Sequence, residues 1–479
     1  MGEELSLFRA EFNGSLRIEA REERLTGDAG SVVLREVIER LGMSGWLKER
    51  LEDRRDPELI THPLSELLNT SLLLLAQGWR EQDDADTLRN DPALRLAVSE
   101  RRGVGPLLET EEERIPEGLA SQPTLSRMVR GLSTAENRSV LREGLMEIAS
   151  RRLKAMRGGH RPRHLTIDVD SLPVEVHGHQ PGSAHNGHYH ARIYHPLVAT
   201  SAATGDMLDV QLREGSAHTA EGGLSFIEAL LDRAEQKLCQ KASVRIDAGF
   251  PEEHLLAGME KRDTPYAARV KNNQVLNRMA EPFLKRPVGR RTAVPRTWLY
   301  EQEYQAGSWS RSRRVVLVVL EREDDLYLHH FWIITNWTAA EMSAEALLEL
   351  YRDRGTAEGH FGELMDVLNP ALSSSPRPKS HYRGQEPTNR FAPGDSFAQN
   401  EVLLLLNALA YNVAHTARAL LVNEIREGWS LRRFRERILR VPARVLVHGR
   451  RAVFIVAQSV APLWHALWRS LARLSYAET

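Results

Sequence analysis

Cysteine is almost absent from this chain, and so is any long apolar run. The single cysteine, Cys239, excludes a disulfide framework and a cysteine-rich zinc module. No apolar stretch approaches the roughly 20 residues needed to span a bilayer. The first residues are acidic and contain no apolar signal core. We therefore expect a protein that stays in the cytoplasm and engages no membrane.

The sequence also has no excess of positive or of negative residues. The 479 residues include 64 lysines and arginines against 65 aspartates and glutamates. The overall charge thus gives no sign of a nucleic-acid partner, although net charge averages over local patches. The hydrophobic fraction of 42% and the charged fraction of 27% are those of an ordinary globular protein. A chain of this length accommodates two or three domains.

Residues 1-155 are predicted to form an α-helical N-terminal domain. Apolar side chains recur at helical spacing between Val33 and Leu41, and a second, more buried segment lies between Leu67 and Leu75. The sequence contains no clean helix-turn-helix. DNA end binding, dimerisation and simple packing all remain open for this region, with DNA end binding slightly favoured.

The pattern changes at His164, where apolar and polar residues begin to alternate. Asp168 and Asp170 share one face of this first strand. Further strands are predicted near 191–201, 207–212, 244–247 and 266–270, with helices near 222–237 and 252–259. A three-strand meander followed by helix, strand, helix and strand predicts an α/β fold with a ribonuclease H-like catalytic core. Residues 160-274 form its first part.

The second half of the chain divides by composition. Residues 275-340 are rich in aromatic and β-branched side chains and are predicted to be a β-rich insertion. Residues 341-425 supply the second part of the core, with a helix over 343–368, a long surface loop over 369–399 and an apolar helix over 401–421. Residues 426-479 form a C-terminal basic and apolar segment.

Three places supply carboxylates suited to a two-metal site for phosphodiester cleavage, which needs acids from separate strands and helices. Asp168 and Asp170 are costly in an apolar strand unless a cation compensates them. Asp247 ends another apolar strand and precedes a glycine, which permits close approach of a ligand. Each of these aspartates also has an ordinary interpretation, as a surface acid, a turn residue or a helix cap.

Glu358 is the third candidate and lies on a predicted helix. Tyr351, Arg354 and Glu358 are three and then four residues apart, so they share one face. The glutamate can bind a metal ion, and the arginine can hold a phosphate with two hydrogen bonds. An ordinary salt-bridged surface has the same spacing. The helix also contains glycines that disfavour helix formation and that indicate close approach of another backbone or of DNA: Gly355, Gly359 and Gly362.

At these residues the sequence resembles bacterial insertion-sequence transposases of the Asp-Asp-Glu type. The similarity is to the branch with a strand-rich insertion before the glutamate and a Tyr-x2-Arg-x3-Glu signature. The matching stretches are residues 77–79, 83–84, 88–92, 121–126, 167–171, 176–180, 186–187, 245–250, 335–336, 351–358, 400 and 408–411. They span most of the chain, and their combination is specific although each is short.

The resemblance implies the roles of the candidate residues. The catalytic and metal-binding acids are Asp170, Asp247 and Glu358, with Asp168 as a second choice for the first aspartate. They imply two Mg²⁺ ions, for which Mn²⁺ substitutes. Tyr351 and Arg354 match positions that hold the DNA strand near the cut. Two departures stand out, since Met365 occupies the position of the usual lysine and Leu172 that of the usual threonine.

The resemblance also implies the partners and the location of the protein. The expected ligand is double-stranded DNA, namely the terminal inverted repeats of the transposon and the target. A homodimer is expected to assemble on paired ends, in the cytoplasm of a bacterium and associated with the nucleoid.

Local basic stretches are predicted to meet this DNA. One precedes the first acidic strand and consists of Arg151, Arg152, Lys154, Arg157, Arg161 and Arg163. Another lies in the β-rich insertion and includes Arg290, Arg291, Trp309, Arg311, Arg313 and Arg314. Basic residues beside aromatics suit phosphate contacts and stacking on an unpaired base. A third run of arginines, within residues 432–440, fits a solvated helix face equally well.

A cluster of histidines offers a different interpretation, a zinc site. Its members are His177, His179, His185, His188, His190 and His195. Their spacing lacks the tight two-plus-two pattern of most zinc sites. Structural or DNA-proximal roles are therefore favoured.

Three functions remain as hypotheses. The leading one is an active transposase, in which water attacks at the transposon end and the freed 3′-hydroxyl then attacks target DNA. The main alternative is a catalytically silent, transposase-derived DNA-binding protein, which the intact acids disfavour and Met365 favours. The third is a nuclease without strand transfer, for which the strand-rich insertion has no evident use.

Overall fold

The computed structural model describes residues 11–16, 22–108, 118–178, 180–187, 189–286, 294–322, 327–374 and 393–474. The chain divides into two compact units. The first comprises Met1–Arg40, Arg54–Met128 and Thr416–Arg473, and the second Leu41–Asp53, Val129–His415 and Leu474–Thr479. These boundaries differ from the predicted ones, because residues 129–155 belong with the core and most of the C-terminal segment belongs with the N-terminal helices.

The helices are α1 (Ser31–Arg40), α2 (Met43–Arg50), α3 (Leu64–Gln77), α4 (Asp84–Thr87), α5 (Pro92–Val98), α6 (Gln122–Gly131), α7 (Ala135–Met156), α8 (Gly223–Lys237), α9 (Glu253–Lys261), α10 (Gln274–Ala280), α11 (Ala344–Arg352), α12 (Arg354–Glu363), α13 (Pro393–Ile425), α14 (Leu431–Phe434) and α15 (Ala461–Arg473). Short 3₁₀ turns lie at Pro57–Leu59, Gly105–Leu107 and Glu281–Phe283, and π-helical segments at Leu364–Leu368 and Arg435–Leu439. None of the helices in the described ranges is long and apolar enough to cross a membrane.

The strands are β1 (Leu25–Thr26), β2 (His164–Ser171), β3 (Val174–Glu175), β4 (Ala184–Asn186), β5 (Ala191–Tyr194), β6 (Leu197–Ser201), β7 (Met207–Gln211), β8 (Lys241–Ile246), β9 (Tyr266–Val270), β10 (Arg296–Tyr304), β11 (Arg313–Glu321), β12 (His329–Thr335), β13 (Ala443–His448) and β14 (Arg451–Ile455).

An eight-stranded mixed sheet forms the centre of the second unit. Its order is β10-β11-β12-β9-β8-β2-β6-β7. Strands β2, β6 and β7 form the antiparallel meander, and β8 and β9 continue from β2 in parallel. This is the ribonuclease H-like order that the sequence predicts, and the α/β fold with a β-rich insertion is confirmed.

The insertion continues the central sheet and does not form a separate layer. Strands β12, β11 and β10 add to β9 one after another, each antiparallel to its neighbour. Alternate residues of β11 face opposite apolar cores, with Val315 and Leu317 in one and Val316 and Val318 in the other. A strand covered on both faces has no solvent-facing positions, which explains the unbroken apolar run in its sequence.

Helix α7 covers the meander side of this sheet. It begins at Thr134, whose side chain accepts a hydrogen bond from the N–H of Asn137 at 3.2 Å. Met146, Ala149 and Leu153 enter the same core as the sheet residues. The last predicted N-terminal helix therefore packs as part of the core beneath the central sheet.

The first unit is helical with a small sheet. Helices α1, α3 and α5 pack together, and α15 packs on α1. Strand β13 lies between β1 and β14 in an antiparallel sheet. Gly30 lies so close to the backbone of Leu439 that a side chain could not be accommodated there. Residues far apart in sequence thus share this unit's interior.

A third sheet, β3-β5-β4, lies between β2 and β6 in the chain. Asn400 on α13 anchors it, because its side-chain amide donates to Gln180 Oε1 and to the hydroxyl of Tyr194, each at 3.1 Å. Asn400 also accepts from the N–H of Ser374 at 2.9 Å. This buried junction fixes the small sheet relative to α13 within the second unit.

Candidate active site

Two of the predicted acids lie at the same edge of the central sheet. Strands β2 and β8 are parallel, and Val169 pairs with Ile246. Asp170 and Asp247 each follow by one residue, so they lie side by side where the paired strands end. Ligands of open α/β sheets bind at this carboxyl edge. The strand register therefore brings together two carboxylates that are 77 positions apart in the sequence.

Glu358 joins them through an arginine on its own helix. Arg354 donates one hydrogen bond to Asp170 Oδ2 at 2.5 Å and another to Glu358 Oε1 at 2.6 Å. The side chain of Arg354 is 10% exposed, that of Asp170 17% and that of Glu358 61%. The enclosed arginine thus links the strand acid to a helix acid that reaches solvent.

The helix that carries these residues is not continuous. The predicted helix over 343–368 is observed as α11, a break at Asp353, α12 and the π-helical segment Leu364–Leu368. Its start at Ser343 is as predicted, since the Ser343 hydroxyl accepts from the N–H of Ala346. Met365 lies within the π-helical segment and is half-buried. It occupies the position where the transposases that the sequence resembles usually have a lysine.

Contacts from the rest of the unit hold this helix in place. Arg245 on β8 donates to the carbonyl of Leu350 near the end of α11. The ring of His360, two residues after Glu358, lies against Gly205, and its Nδ1 is 3.2 Å from the Tyr411 hydroxyl. Gly205 has a positive φ of 72° and a side chain there would collide with the His360 ring. The helix that carries the glutamate is therefore anchored from both the sheet and α13.

Electrostatic interactions between the acids shift the pKa of Asp170. Burial raises the pKa of the Asp170 carboxyl to about 6. Arg354 opposes this rise, while the negative charges of Asp247 and Glu358 add to it. Burial likewise raises the pKa of Tyr351 to about 12, and Asp247 and Glu358 contribute to that rise. Tyr351, Arg354 and the three acids therefore form one cluster with a surplus of negative charge.

This cluster of acids favours a positive charge. In the structure the guanidinium of Arg354 supplies that charge. Carboxylate oxygens are the ligands that Mg²⁺ and Mn²⁺ favour, and mutual repulsion at Asp170 is what a bound cation relieves. Among the described residues, no three carboxylate, imidazole or thiolate side chains already stand in position to hold a metal ion. The guanidinium of Arg354 stands between two of the acids.

Asp168 has a different environment from Asp170. Its carboxylate is buried and accepts two hydrogen bonds from Arg245, at 2.5 Å from Nε and 2.7 Å from Nη2. Asp168 and Arg245 are register partners in β2 and β8. This two-pronged pair joins β2 to β8, and Asp168 as the alternative first aspartate stays a prediction.

The glycines of α12 do not meet another part of the chain. A side chain added at Gly355, Gly359 or Gly362 would find no atom of the described chain within 4 Å. The predicted approach of another backbone is therefore absent among the described residues. Close approach of DNA at this open face stays a prediction.

The basic stretch before β2 is only partly available to a ligand. Arg151 and Arg152 are buried, the first pairing with Glu147 and the second with Asp206. Arg161 is exposed but donates to the carbonyl of Cys239 at 2.6 Å. Arg163 is also exposed. Burial of the first two corrects the expectation that this whole stretch faces DNA.

The basic and aromatic set in the insertion is mostly internal. Trp309 is buried beneath Arg313, whose guanidinium lies 5.1 Å from the ring centre. Arg313 donates to Glu253 and Glu260, each at 2.7 Å. Arg311 pairs with Glu260 and Arg314 with Glu301. Because both side chains are buried, Trp309 is not available to stack on a base and Arg313 is not available to a phosphate. Arg290 and Arg291 lie outside the described residues.

The histidines form no metal site in the part of the chain that is described. His195 is buried, and its Nδ1 lies 2.9 Å from the carbonyl oxygen of Ala217. His177, His185 and His190 are exposed. His179 and His188 lie outside the described residues.

Tyr189 is not among the predicted site residues, yet it lies beside the acids. It occupies the turn between β4 and β5 and is 42% exposed. Burial raises the pKa of its hydroxyl, and the charges of Asp170 and Asp247 contribute. The sequence signal that could have identified it is an aromatic residue between two histidines, two positions after the family-like pair 186–187.

The comparisons with known proteins supply the family. Residues 8–375 match the family described as "Transposase DDE domain group 1". Among solved structures, a piggyBac transposase synaptic complex with hairpin DNA aligns over 95% of this chain and 87% of its own, at 10% identity and a TM-score of 0.41. No curated protein matches the chain. Because the family match covers well over half of the residues, this protein belongs to the DDE transposases.

Proposed function

We propose that this chain is the transposase of a bacterial insertion sequence and that Asp170, Asp247 and Glu358 are its catalytic residues. It would cut the transposon ends and join the freed 3′-hydroxyls to target DNA. The single observation that carries the proposal is the cluster in which Arg354 bridges Asp170 and Glu358 beside Asp247. Membership of the transposase family supports this chemistry for the cluster.

Divalent metal ions are the general cofactors of this family. We propose two Mg²⁺ ions held by Asp170, Asp247 and Glu358, with Mn²⁺ as a substitute. When bound, such ions supply an activated oxygen nucleophile and stabilise the leaving oxygen. Asp170 and Asp247 come from the rigid end of a paired sheet, so their carboxylates are held in place before any ligand binds. Glu358 is more exposed and completes the set from the helix.

The other residues of the cluster would position the DNA strand. The guanidinium of Arg354 has the planar fork that matches a phosphate group. Tyr351 lies at the end of α11, just before the break at Asp353, and its raised pKa keeps the hydroxyl protonated and able to donate. The open glycine face of α12 leaves room for a backbone next to Glu358. Arg163 would add a contact to phosphate from the start of β2.

The proposed ligands are the terminal inverted repeats and the target duplex. The proposed assembly is a homodimer on paired ends, in association with the bacterial nucleoid. End recognition or dimerisation by the N-terminal helices belongs to the same proposal.

The test is cleavage of a labelled duplex that carries the inverted repeats flanking the gene. Wild type and Glu358→Gln are compared in Mg²⁺ and in EDTA. Glu349→Gln is the matched control, because Glu349 is an exposed residue of the adjoining helix α11. We expect Mg²⁺-dependent cutting by the wild type and by Glu349→Gln, and none by Glu358→Gln.

Other outcomes distinguish the alternatives. Binding of the duplex without cutting by the wild type would overturn the active enzyme and favour a silent DNA-binding protein, which Met365 also favours. Cutting without joining of a pre-cleaved end to target DNA would favour a simple nuclease.

A further inference from the structure

Arg354 is surrounded by more negative charge than it can neutralise. It donates to Asp170 and Glu358 at 2.5 and 2.6 Å, and Asp247 also lies within its electrostatic reach. Its side chain is 10% exposed, so the interactions are weakly screened by solvent. The described contacts thus give this arginine the role of a counter-ion for a surplus of acids.

The same carboxylates are the metal ligands under the proposed function. A divalent ion held by Asp170 and Glu358 would need the carboxylates that Arg354 now occupies, and two cations that share ligands repel strongly in an enclosed site. Arg354 and the metal ions are therefore competitors. The competition need not destroy the site, since Glu358 is 61% exposed and can turn on its helix surface from one cation to the other.

An arginine released from carboxylates needs another anion. A bidentate phosphate contact replaces two charge-assisted hydrogen bonds with two of the same kind. The open face formed by Gly355 and Gly359 adjoins Arg354 and Glu358 along α12, and nothing in the described chain occupies it. A DNA strand that reaches this face would thus present its phosphates next to the released guanidinium.

We propose that Arg354 is the resident counter-ion of the DNA-free site. It holds Asp170 and Glu358 together before metal ions bind, competes with the ions for these carboxylates, and transfers to a DNA phosphate once the ions are in place. The inference rests on the proposed function of the three acids. It makes metal loading and the grip on DNA mutually dependent, since coupling between two ligands is reciprocal.

The direct test measures Mn²⁺ binding to the full-length, DNA-free protein by the electron paramagnetic resonance signal of free Mn²⁺. Removing the competitor in Arg354→Gln should tighten Mn²⁺ binding by about tenfold, the scale of a lost charge-assisted hydrogen bond. Arg352→Gln is the matched control. It removes the same charge two residues away, from an exposed side chain, and should bind Mn²⁺ as the wild type does.

A second measurement tests the proposed transfer of Arg354 from the carboxylates to a DNA phosphate. The affinity for a pre-cleaved end duplex is compared in Ca²⁺ and in EDTA. Ca²⁺ should strengthen DNA binding by the wild type and by Arg352→Gln, and this increment should be reduced about tenfold in Arg354→Gln. If Arg354→Gln does not fold, Arg354→Lys carries the test. Its point charge cannot bridge both acids, so its Mn²⁺ affinity should lie above that of the wild type.

The outcomes separate this inference from the proposed function. If Mn²⁺ binds the wild type, is lost in Asp247→Asn and is unchanged or weaker in both Arg354 variants, Arg354 is not a competitor and the inference alone falls. Tightening by Arg352→Gln to the same extent would also overturn it, because the effect would then reflect net charge. If the wild type binds no Mn²⁺ at these acids, the inference falls together with the proposed function.

Discussion

Two arginine clusters in the second unit look alike locally and differ in their charge balance. Arg313 donates to Glu253 and Glu260, each at 2.7 Å. Arg354 donates to Asp170 at 2.5 Å and to Glu358 at 2.6 Å. Both arginines are enclosed and each bridges two carboxylates. Distances alone would assign the two clusters the same role.

The pKa values of the acids separate the two clusters. Hydrogen bonds from Arg313 and Ser310 lower the pKa of Glu253 to about 2. The pKa of Asp170 is instead raised to about 6, through burial and the nearby acids. In the Arg313 cluster, Arg311 supplies a second positive charge to Glu260. A buried cluster whose described acids outnumber their arginines is therefore the better candidate for a cation site, and a balanced one for a structural joint.

The largest expected effect compares one acid from each cluster. Asp247→Asn should reduce DNA cleavage by about a thousandfold or more, because it removes a proposed metal ligand worth several kcal/mol in the transition state. Glu253→Gln, six residues further along the chain, should leave the cleavage rate within about twofold, since Glu253 belongs to the structural cluster. Single-turnover cleavage of the end duplex measures both. A comparable loss in Glu253→Gln would erase the proposed distinction.

The free energy of unfolding should depend on the Arg313 cluster, and most on its enclosed arginine. Arg313→Met should lower the free energy of unfolding by about 3 kcal/mol, because it leaves Glu260 buried without its main partner. Arg311→Met should cost less than about 1 kcal/mol, since Arg311 is 59% exposed. Urea unfolding monitored by circular dichroism gives both values. A small loss for Arg313→Met would show that this cluster is not a joint.

The pH dependence of stability tests the charge surplus around Asp170. Its pKa of about 6 in the fold lies above its usual value of 3.8, so between these pH values the folded protein keeps a proton that the unfolded chain releases. The free energy of unfolding contributed by this group is therefore highest below this window. It falls as the pH rises through it, by at most about 3 kcal/mol.

Asp170→Asn should remove this part of the slope. Urea unfolding of the wild type and the variant in EDTA, at about pH 4 and about pH 6.5, measures it. Equal slopes in the two proteins would mean that Asp170 is not perturbed and that its cluster is balanced after all.

The smallest expected effect concerns the aromatic residues near the two clusters. Tyr189 is exposed beside the acids, whereas Trp309 is buried beside Arg313. Tyr189→Ala should weaken binding of the end duplex by about tenfold if its ring stacks on a base. Tyr327→Ala is the control, since Tyr327 is an exposed tyrosine elsewhere in the same unit. Gel-shift titration that finds equal affinities for both variants would remove Tyr189 from the site.

Several features of the site follow from local sequence patterns. Alternation in β2 puts Asp168 and Asp170 on one face, and the position of Asp247 at a strand end follows from the apolar run before it. Helical spacing predicts the contact between Arg354 and Glu358 within α12, whereas Tyr351 lies on α11 beyond the break at Asp353. Element order predicts the ribonuclease H-like sheet, which the observed strand order confirms. All of these depend on neighbours within a few residues, which is the range that a periodic pattern reports.

Basic runs are a case in which the local pattern misleads. Arg151, Arg152 and Arg313 stand in arginine-rich stretches, but each is buried against an acid from the same fold. For Arg313 the nearest such acid is 53 residues away in the sequence. A run of arginines in the sequence therefore does not show whether each arginine is free to bind DNA or already paired with an acid of the same protein.

Local sequence patterns thus predict the order of strands and helices in the central sheet and three candidate acids, Asp170, Asp247 and Glu358. A pattern of period two treats Asp168 and Asp170 as equivalent, and their different environments come from tertiary contacts. Parallel pairing of β2 with β8 puts Arg245 opposite Asp168, and this pair is satisfied. Asp170 lies one residue beyond the pairing of β2 with β8 and accepts a hydrogen bond from Arg354, which is 184 residues away in the sequence. Strand register pairs Asp168 with Arg245, and the placement of α12 pairs Asp170 with Arg354. Both depend on contacts between residues that are distant in the sequence.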